Sequence, residues 1–338
     1  MVNNIALAGC GNVGTALIEL LNEKREELAE KYRFEFKVTL ITDLMKGTII
    51  DVNGLDLDKV IDALHSKHSL EGFKQANGAF EELLEEAHTM MLAEATPTDL
   101  KTGEPGLTHI RSALARGINV TTTSKGPLAV DFGGLSKLAK DCGAQFRYEG
   151  SVMSGTPLIE MLTNGMAGCT ISKVEGILNG TTNFMLTEMS NGLTYANALE
   201  EATSLGYAEA DPSGDVEGWD AAAKVVILAK IIYGKDITVE QVERMGITQV
   251  TPDKIKEAKE AGFAVKLIAG LENGPYGLRA YVIPKEIPLE HPLAFISGAT
   301  NAITITTDNL GDVTLTGPGA GRRETSQALL TDLIAMSF

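Results

Sequence analysis

Residues 5–14, Ile5-Ala6-Leu7-Ala8-Gly9-Cys10-Gly11-Asn12-Val13-Gly14, decide how the chain is read. A short apolar run ends in GxGxxG. A stretch with helical spacing follows from Val13 through Leu17, Leu20, Leu21 and Leu28 to about Tyr32. In this strand–turn–helix setting each glycine has a physical task. Gly9 makes the tight turn, Gly11 lets the backbone approach a pyrophosphate, and Gly14 lets the helix pack on the strand. The unpaired N–H groups of the first helical turn, at Asn12 and Val13, then face that anion. The pattern predicts a dinucleotide site.

The next segment, Phe36 to Thr42, is rich in β-branched residues and closes on Asp43. A carboxylate at the end of a second strand is placed to bond a ribose 2′-hydroxyl and to repel a 2′-phosphate. Lys46 follows closely and can neutralise such a phosphate, so both NAD and NADP stay open.

The rhythm continues. Strands are expected at Thr89–Leu92, Ile118–Thr122 and Gln145–Tyr148, with helices at Leu107–Arg116 and Leu135–Cys142. Such alternation predicts a Rossmann-type, doubly wound parallel sheet with helices on both faces. The stretch Met45 to Phe80 fits less well and holds one expected helix, Leu57–His65.

After Gly150 the texture changes to mixed helices and strands. The helices are expected at 158–162, 182–189, 195–205 and 219–233, the strands at 171–178, 265–270, 277–283 and 302–307. The fold class is therefore α/β, with a dinucleotide-binding domain over 1–150 and a second, α+β catalytic and dimerisation domain over 151–310. A helical C-terminal segment, 311–338, is expected to pack back on the first domain.

Bulk properties narrow the function. The 338 residues carry a net charge of −16, the wrong sign for nucleic acid or an anionic membrane. Three cysteines and five scattered histidines offer neither a disulfide framework nor a transition-metal set. No signal peptide or long apolar span is seen, so a cytoplasmic protein is expected.

Two lysines stand out. Lys125, in Thr121-Thr122-Thr123-Ser124-Lys125-Gly126-Pro127, follows a strand at the sheet edge where α/β ligands bind. Lys224 closes the run from Tyr207 to Lys224, which holds five carboxylates. Asp211-Pro212 and Ser213-Gly214 make Glu209 to Asp215 a loop, and Asp215 to Gly218 is expected to start a helix. Asp220 and Lys224 then share one helix face, beside the apolar Trp219 and Val225–Leu228. The pair reads either as a surface ion pair or as a buried lysine tuned by its acid. An ammonium aimed at a carbonyl oxygen serves carbonyl reduction as acid and as electrostatic stabiliser. Surplus carboxylates suit a substrate that carries an ammonium group.

At these residues the chain resembles the homoserine dehydrogenase family over nearly its whole length. The likeness rests on GCGNVG (9–14), EATPTD with KTGEPG (94–106), TTTSKGPLA (121–129) and YEGSVMSGTP (148–157). It extends to NGTTNFML (179–186), the YAEADPSGD loop with WDAAAK (207–224), and GPGAG (317–321). The resemblance implies interconversion of L-aspartate 4-semialdehyde and L-homoserine with NAD or NADP. It makes Lys224 the principal acid/base, Lys125 a second lysine at the reaction centre and in the cofactor site, and Asp220 the orienting acid. Glu209 and Asp215 would bind substrate, and Thr96 would join the cofactor site. It also implies a homodimer and a sodium ion on backbone carbonyls of Glu149, Val152, Ser154 and Thr156.

Arg322-Arg323-Glu324-Thr325-Ser326 departs from the small residues that often follow GPGAG in the family. With its end at Phe338, the chain is expected to be a short form without a C-terminal regulatory domain or feedback by threonine. The rival readings are a dehydrogenase of another small amino-acid aldehyde and a non-catalytic NAD(H)-sensing Rossmann protein.

Overall fold

The structure is a computed structural model that describes residues 2–338. The chain forms two compact units, residues 1–155 with 321–338, and residues 156–320.

The first unit runs β1 (Val2–Ala8), α1 (Asn12–Glu23), α2 (Arg25–Tyr32), β2 (Glu35–Asp43), β3 (Gly47–Ile50), α3 (Leu57–Ser66) and α4 (Phe80–Glu86). It continues through β4 (Met91–Glu94), α5 (Gly106–Leu114), β5 (Asn119–Thr122), α6 (Lys125–Asp141), β6 (Phe146–Arg147) and α7 (Gly150–Met153). Its sheet has the order β3-β2-β1-β4-β5-β6, parallel except for the antiparallel edge strand β3.

Strand β1 shows why the sheet is doubly covered. Ile5 and Leu7 enter one core cluster with Leu17, Leu21 and Leu333, while Ala6 and Ala8 enter the opposite one with Leu107 and Ile110. Successive side chains alternate faces, so a strand apolar at every position must be buried on both. Each such leucine contributes ~1.5–3 kcal/mol by leaving water.

Chain order reverses between β1 and β4, the place where open α/β sheets bind ligands. The register aligns Ala8 with Thr42 and with Glu94, and Glu94 with Thr122. Gly9, Asp43, Ala95 and Thr123 therefore leave the sheet at one edge.

The second unit contains α8 (Leu158–Glu160), β7 (Ile171–Ile177), α9 (Gly180–Ser190), α10 (Tyr195–Ser204), α11 (Ser213–Val216) and α12 (Trp219–Tyr233). It closes with β8 (Glu243–Arg244), α13 (Pro252–Glu260), β9 (Phe263–Gly274), β10 (Gly277–Pro288), β11 (Thr300–Thr307) and β12 (Gly311–Pro318). Its sheet, β12-β11-β7-β9-β10-β8, is antiparallel apart from the β8–β10 pair. Helix α12 packs on β9 and β10 and is buried continuously from Ala221 to Ala229. The chain then returns to the first unit as α14 (Arg322–Ala335), whose Leu329, Leu330 and Leu333 join the β1 core.

Several expectations need correction. The long first helix is two, broken at Lys24 (φ −101°, ψ 8°), because the chain must turn to start α2. The unplaced stretch after Met45 begins with the hairpin strand β3. The segment 311–338 is not helical throughout. Gly311–Pro318 is an edge strand paired with β11, and only Arg322–Ala335 is helix. The helix expected to start at Asp215 is instead the short α11 and a separate α12, divided at Gly218 (φ +85°).

Candidate functional site

The glycine turn in the first unit has the geometry its sequence predicts. Gly9 has φ +89°, and a Cβ there would lie 2.6 Å from the Ala95 carbonyl oxygen. A Cβ on Gly14 would lie 2.0 Å from the Gly9 carbonyl oxygen, so α1 packs against the turn only without one. Gly11 differs: a Cβ there meets nothing within 4 Å, and no side chain caps α1. The turn thus presents open space in front of uncapped helix N–H groups, which fits a dinucleotide pyrophosphate. Asn12 is exposed and Val13 half-buried beside it.

Asp43 closes the turn from the side. Its Oδ2 accepts the Cys10 N–H at 2.8 Å, and Oδ1 accepts those of Met45 and Lys46 at 2.9 and 3.0 Å. The Lys46 ammonium reaches back to the Cys10 carbonyl oxygen. A carboxylate at the end of β2 is therefore fixed in place against the glycine turn. Burial pushes the Cys10 thiol up to about 11, so this cysteine stays protonated and unreactive.

Sequence reasoning overlooked Glu94, at the end of β4 and fully buried. It accepts the Thr96 N–H at 2.9 Å, the Thr96 hydroxyl, and the Thr122 hydroxyl at 2.6 Å. Ser124 donates its hydroxyl to the Thr96 carbonyl at 2.9 Å and its N–H to Thr122 Oγ1 at 3.0 Å. This network ties the loop after β4 to the loop after β5 and sets the start of α6. Lys125 is the first residue of α6, half-buried at the sheet edge its position predicted.

The second unit brings Lys224 together with Asp220 and, through Asn179, with Asp215. Lys224 is 6% exposed, and its Nζ donates to Asp220 Oδ2 at 2.8 Å and to the Leu178 carbonyl at 2.6 Å. Lys224 is buried and Asp220 half-buried, so this is not an exposed surface ion pair. Its neighbour, Asn179, was quoted in the sequence but given no role. The Asn179 side chain caps α9 by accepting the Thr182 N–H at 2.9 Å, while its Nδ2 donates to Asp215 Oδ1 at 2.6 Å and Asp220 Oδ2 at 3.2 Å. An asparagine before Gly-Thr-Thr signals a cap, and nothing local in sequence says its other end reaches two carboxylates. Burial raises the Asp215 pKa, Asp220 adds to the rise, and the Asn179 hydrogen bond opposes it. Glu209 lies exposed on the preceding loop and makes no hydrogen bond or ion pair with this cluster.

Residues 149–156 divide between the units. In the first, Glu149, Val152 and Ser154 are buried around α7, and Ser154 leaves the helix at φ +53°. In the second, Thr156 is buried and donates its hydroxyl to the Pro318 carbonyl at 3.2 Å. Among the described residues no group of three His, Cys, Asp or Glu side chains is placed to hold a metal.

Residues 157–334 match the family model for homoserine dehydrogenase. An NAD(+)-dependent homoserine dehydrogenase of Pseudomonas canavaninivorans is 42% identical over 333 residues, covering 98% of this chain and 95% of that protein. The chain belongs to the homoserine dehydrogenase family.

Solved structures agree on the homoserine dehydrogenase fold. A crystal structure from Archaeoglobus fulgidus is 39% identical, with a TM-score of 0.90 and 99% coverage of both chains. A hyperthermophilic archaeal homoserine dehydrogenase mutant, solved in complex with NADPH, is 34% identical with a TM-score of 0.87, covering 100% of this chain and 98% of that one. Family membership makes the chain an NAD(P)-dependent oxidoreductase. No helix among the described residues is long and apolar enough to cross a membrane.

Proposed function

We propose that the protein interconverts L-aspartate 4-semialdehyde and L-homoserine, with Lys224 as proton donor and acceptor at the substrate oxygen. The observation that carries this reading is the pairing of buried Lys224 with half-buried Asp220, one helical turn apart and tied through Asn179 to Asp215. Lys224 spends two N–H groups on Asp220 and Leu178, which fixes its head and leaves the third for the substrate oxygen. Two carboxylates beside one ammonium leave negative charge for the amino group of the substrate. Asp215 and Asp220 are assigned to that group, and exposed Glu209 to its approach.

The first unit supplies the nucleotide-binding groups: Gly9, Gly11, Asn12, Val13 and Gly14 for the pyrophosphate, Asp43 for the ribose, and Thr96 with Lys125 at the sheet edge. A bound nicotinamide would give the hydride in reduction and take it in oxidation. Asp43 supports NAD over NADP, because a carboxylate pinned at the end of β2 repels a 2′-phosphate. The division of labour, cofactor binding in the first unit and catalysis in residues 156–320, is part of the proposal.

A sodium ion on the carbonyls of Glu149, Val152 and Ser154, with Thr156, is a further part. The left-handed turn at Ser154 and an all-oxygen donor set support it. Replacing sodium by a bulky organic cation at constant ionic strength is expected to lower thermal stability. Homodimerisation through the second unit, where Phe295 is 71% exposed next to the buried Leu293 and Ala294, completes it. Light scattering tests that part.

The activity is tested by following nicotinamide reduction with homoserine and NAD or NADP, and its oxidation with aspartate semialdehyde. Turnover of both substrates is expected. Tight nicotinamide binding without turnover of either would favour the NAD(H)-sensing reading instead.

A further inference from the structure

Asp215 and Asp220 belong to different helices, and the two residues between those helices, Glu217 and Gly218, set the distance between the carboxylates. Gly218 precedes α12 in a left-handed conformation (φ +85°), and no side chain caps that helix. The corner therefore draws its rigidity from elsewhere.

It draws it from β8. The Arg244 guanidinium lies 3.5 Å from the centroid of the Trp219 ring and donates from Nη1 to the Glu217 carbonyl. Trp219 in turn donates its indole N–H to Glu217 Oε2 at 3.0 Å. The Arg244 stem covers Gly218, where a Cβ would meet Arg244 Cγ at 3.5 Å and Val282 Cγ1 at 3.1 Å. Two residues on, Gly246 fits under the corner, since a Cβ there would lie 2.1 Å from the Val216 carbonyl oxygen. Ile247 N–H then bonds that carbonyl at 2.8 Å. Among the described residues Arg244 forms no ion pair with a carboxylate. Its charge is satisfied by a ring face and a carbonyl, both in the corner.

We propose that Arg244 is a positioning residue for substrate binding: stacked on Trp219 and bonded to Glu217, it fixes the α11–α12 corner and hence the spacing of Asp215 and Asp220. This rests on the assignment of those carboxylates to the substrate amino group. Lys224 lies one turn further into the buried helix and keeps its bond to the Leu178 carbonyl, 2.6 Å away, even where Asp220 shifts. A loosened corner should thus weaken binding of the amino acid and spare the chemical step.

Trp219 is the only tryptophan in the chain, so its emission reports the clamp directly. In Arg244→Leu the emission should shift to the red and KM for homoserine should rise about tenfold, with kcat and the cofactor KM near wild type. Arg244→Lys should recover part of both signals, because an ammonium keeps the attraction to the ring and loses the planar fork. A shifted emission with an unchanged homoserine KM overturns the proposal and leaves the activity standing. Failure of the wild-type protein to oxidise homoserine removes both. Should Arg244→Leu not fold by circular dichroism, Trp219→Phe decides: it keeps the stacking ring and deletes the indole N–H. A homoserine KM raised a few-fold supports the clamp, and an unchanged one sinks it.

Discussion

Asn179 Nδ2 sits between Asp215 Oδ1, at 2.6 Å, and Asp220 Oδ2, at 3.2 Å, and donates to both. One neutral amide thereby holds two half-buried acids together next to Lys224. Without it burial and mutual repulsion act on Asp215 with less opposition, and both push its pKa up.

The consequence is a pH dependence with a definite sign. A protonated Asp215 no longer attracts an ammonium, so kcat/KM for homoserine should fall as pH drops through the raised Asp215 pKa. Asn179→Ala removes a hydrogen bond that holds this pKa down, so the acid limb should move to higher pH. The variant also loses the α9 cap, at a cost of ~1 kcal/mol in stability. A pH profile of kcat/KM checks the shift, and an acid limb that stays in place contradicts the assignment of Asp215.

Lys224→Met tests the acid/base role. The methionine keeps an apolar stem in a buried helix and removes only the ammonium. Turnover should fall by about 10²–10⁴ while the dissociation constant for the nicotinamide cofactor stays near wild type. Asp220→Ala should instead lower stability, since it takes away the carboxylate that pairs with the buried Lys224 ammonium and leaves the bond to the Leu178 carbonyl. Retained turnover in Lys224→Met would remove the mechanism.

Much of this was legible from local sequence. GxGxxG announced the turn, the i,i+4 spacing announced the Asp220–Lys224 pair, and the apolar run after Lys224 announced its burial. What escaped was non-local. Glu94 looks like any acid after a strand until the register brings Thr122 beside it. The second role of Asn179 depends on Asp215 and Asp220, 36 and 41 residues away. The strand Gly311–Pro318 carries only a short alternation, Asp312-Val313-Thr314-Leu315-Thr316, bounded by glycines and a proline, and its long pairing with β11 is what establishes it as a strand.

Cofactor choice turns on Asp43. Its two oxygens hold three backbone N–H groups of the glycine turn and the following hairpin. Asp43→Asn keeps an acceptor oxygen and removes the charge, so kcat/KM with NADP should rise relative to NAD by about tenfold. Asp43→Ala releases the turn and should weaken both cofactors. Steady-state kinetics with each cofactor decides, and an unchanged ratio in Asp43→Asn would clear Asp43 of any part in selectivity.

Lys266 makes a stability prediction independent of catalysis. It is 6% exposed on β9, its ammonium donates to Asn183 Oδ1 and to the Ile296 carbonyl, and no acid among the described residues pairs with it. Burial lowers its pKa from 10.5 to about 8. Between those values the unfolded chain holds a proton that the native chain has lost, so native stability rises with pH across that window. Below the window both states are charged, and the native state bears the full cost of a buried ammonium. Lys266→Met abolishes this titration and adds a pH-independent penalty of ~1–3 kcal/mol for Asn183 Oδ1 left without a donor, while the Ile296 carbonyl keeps its bond from Asn183 Nδ2 at 3.3 Å. Every other titrating group is common to both proteins and cancels in the difference. The Tm of wild type minus that of Lys266→Met should therefore climb steadily from about pH 8 to about pH 10 in parallel thermal melts. A flat difference would mean that Lys266 keeps its proton throughout.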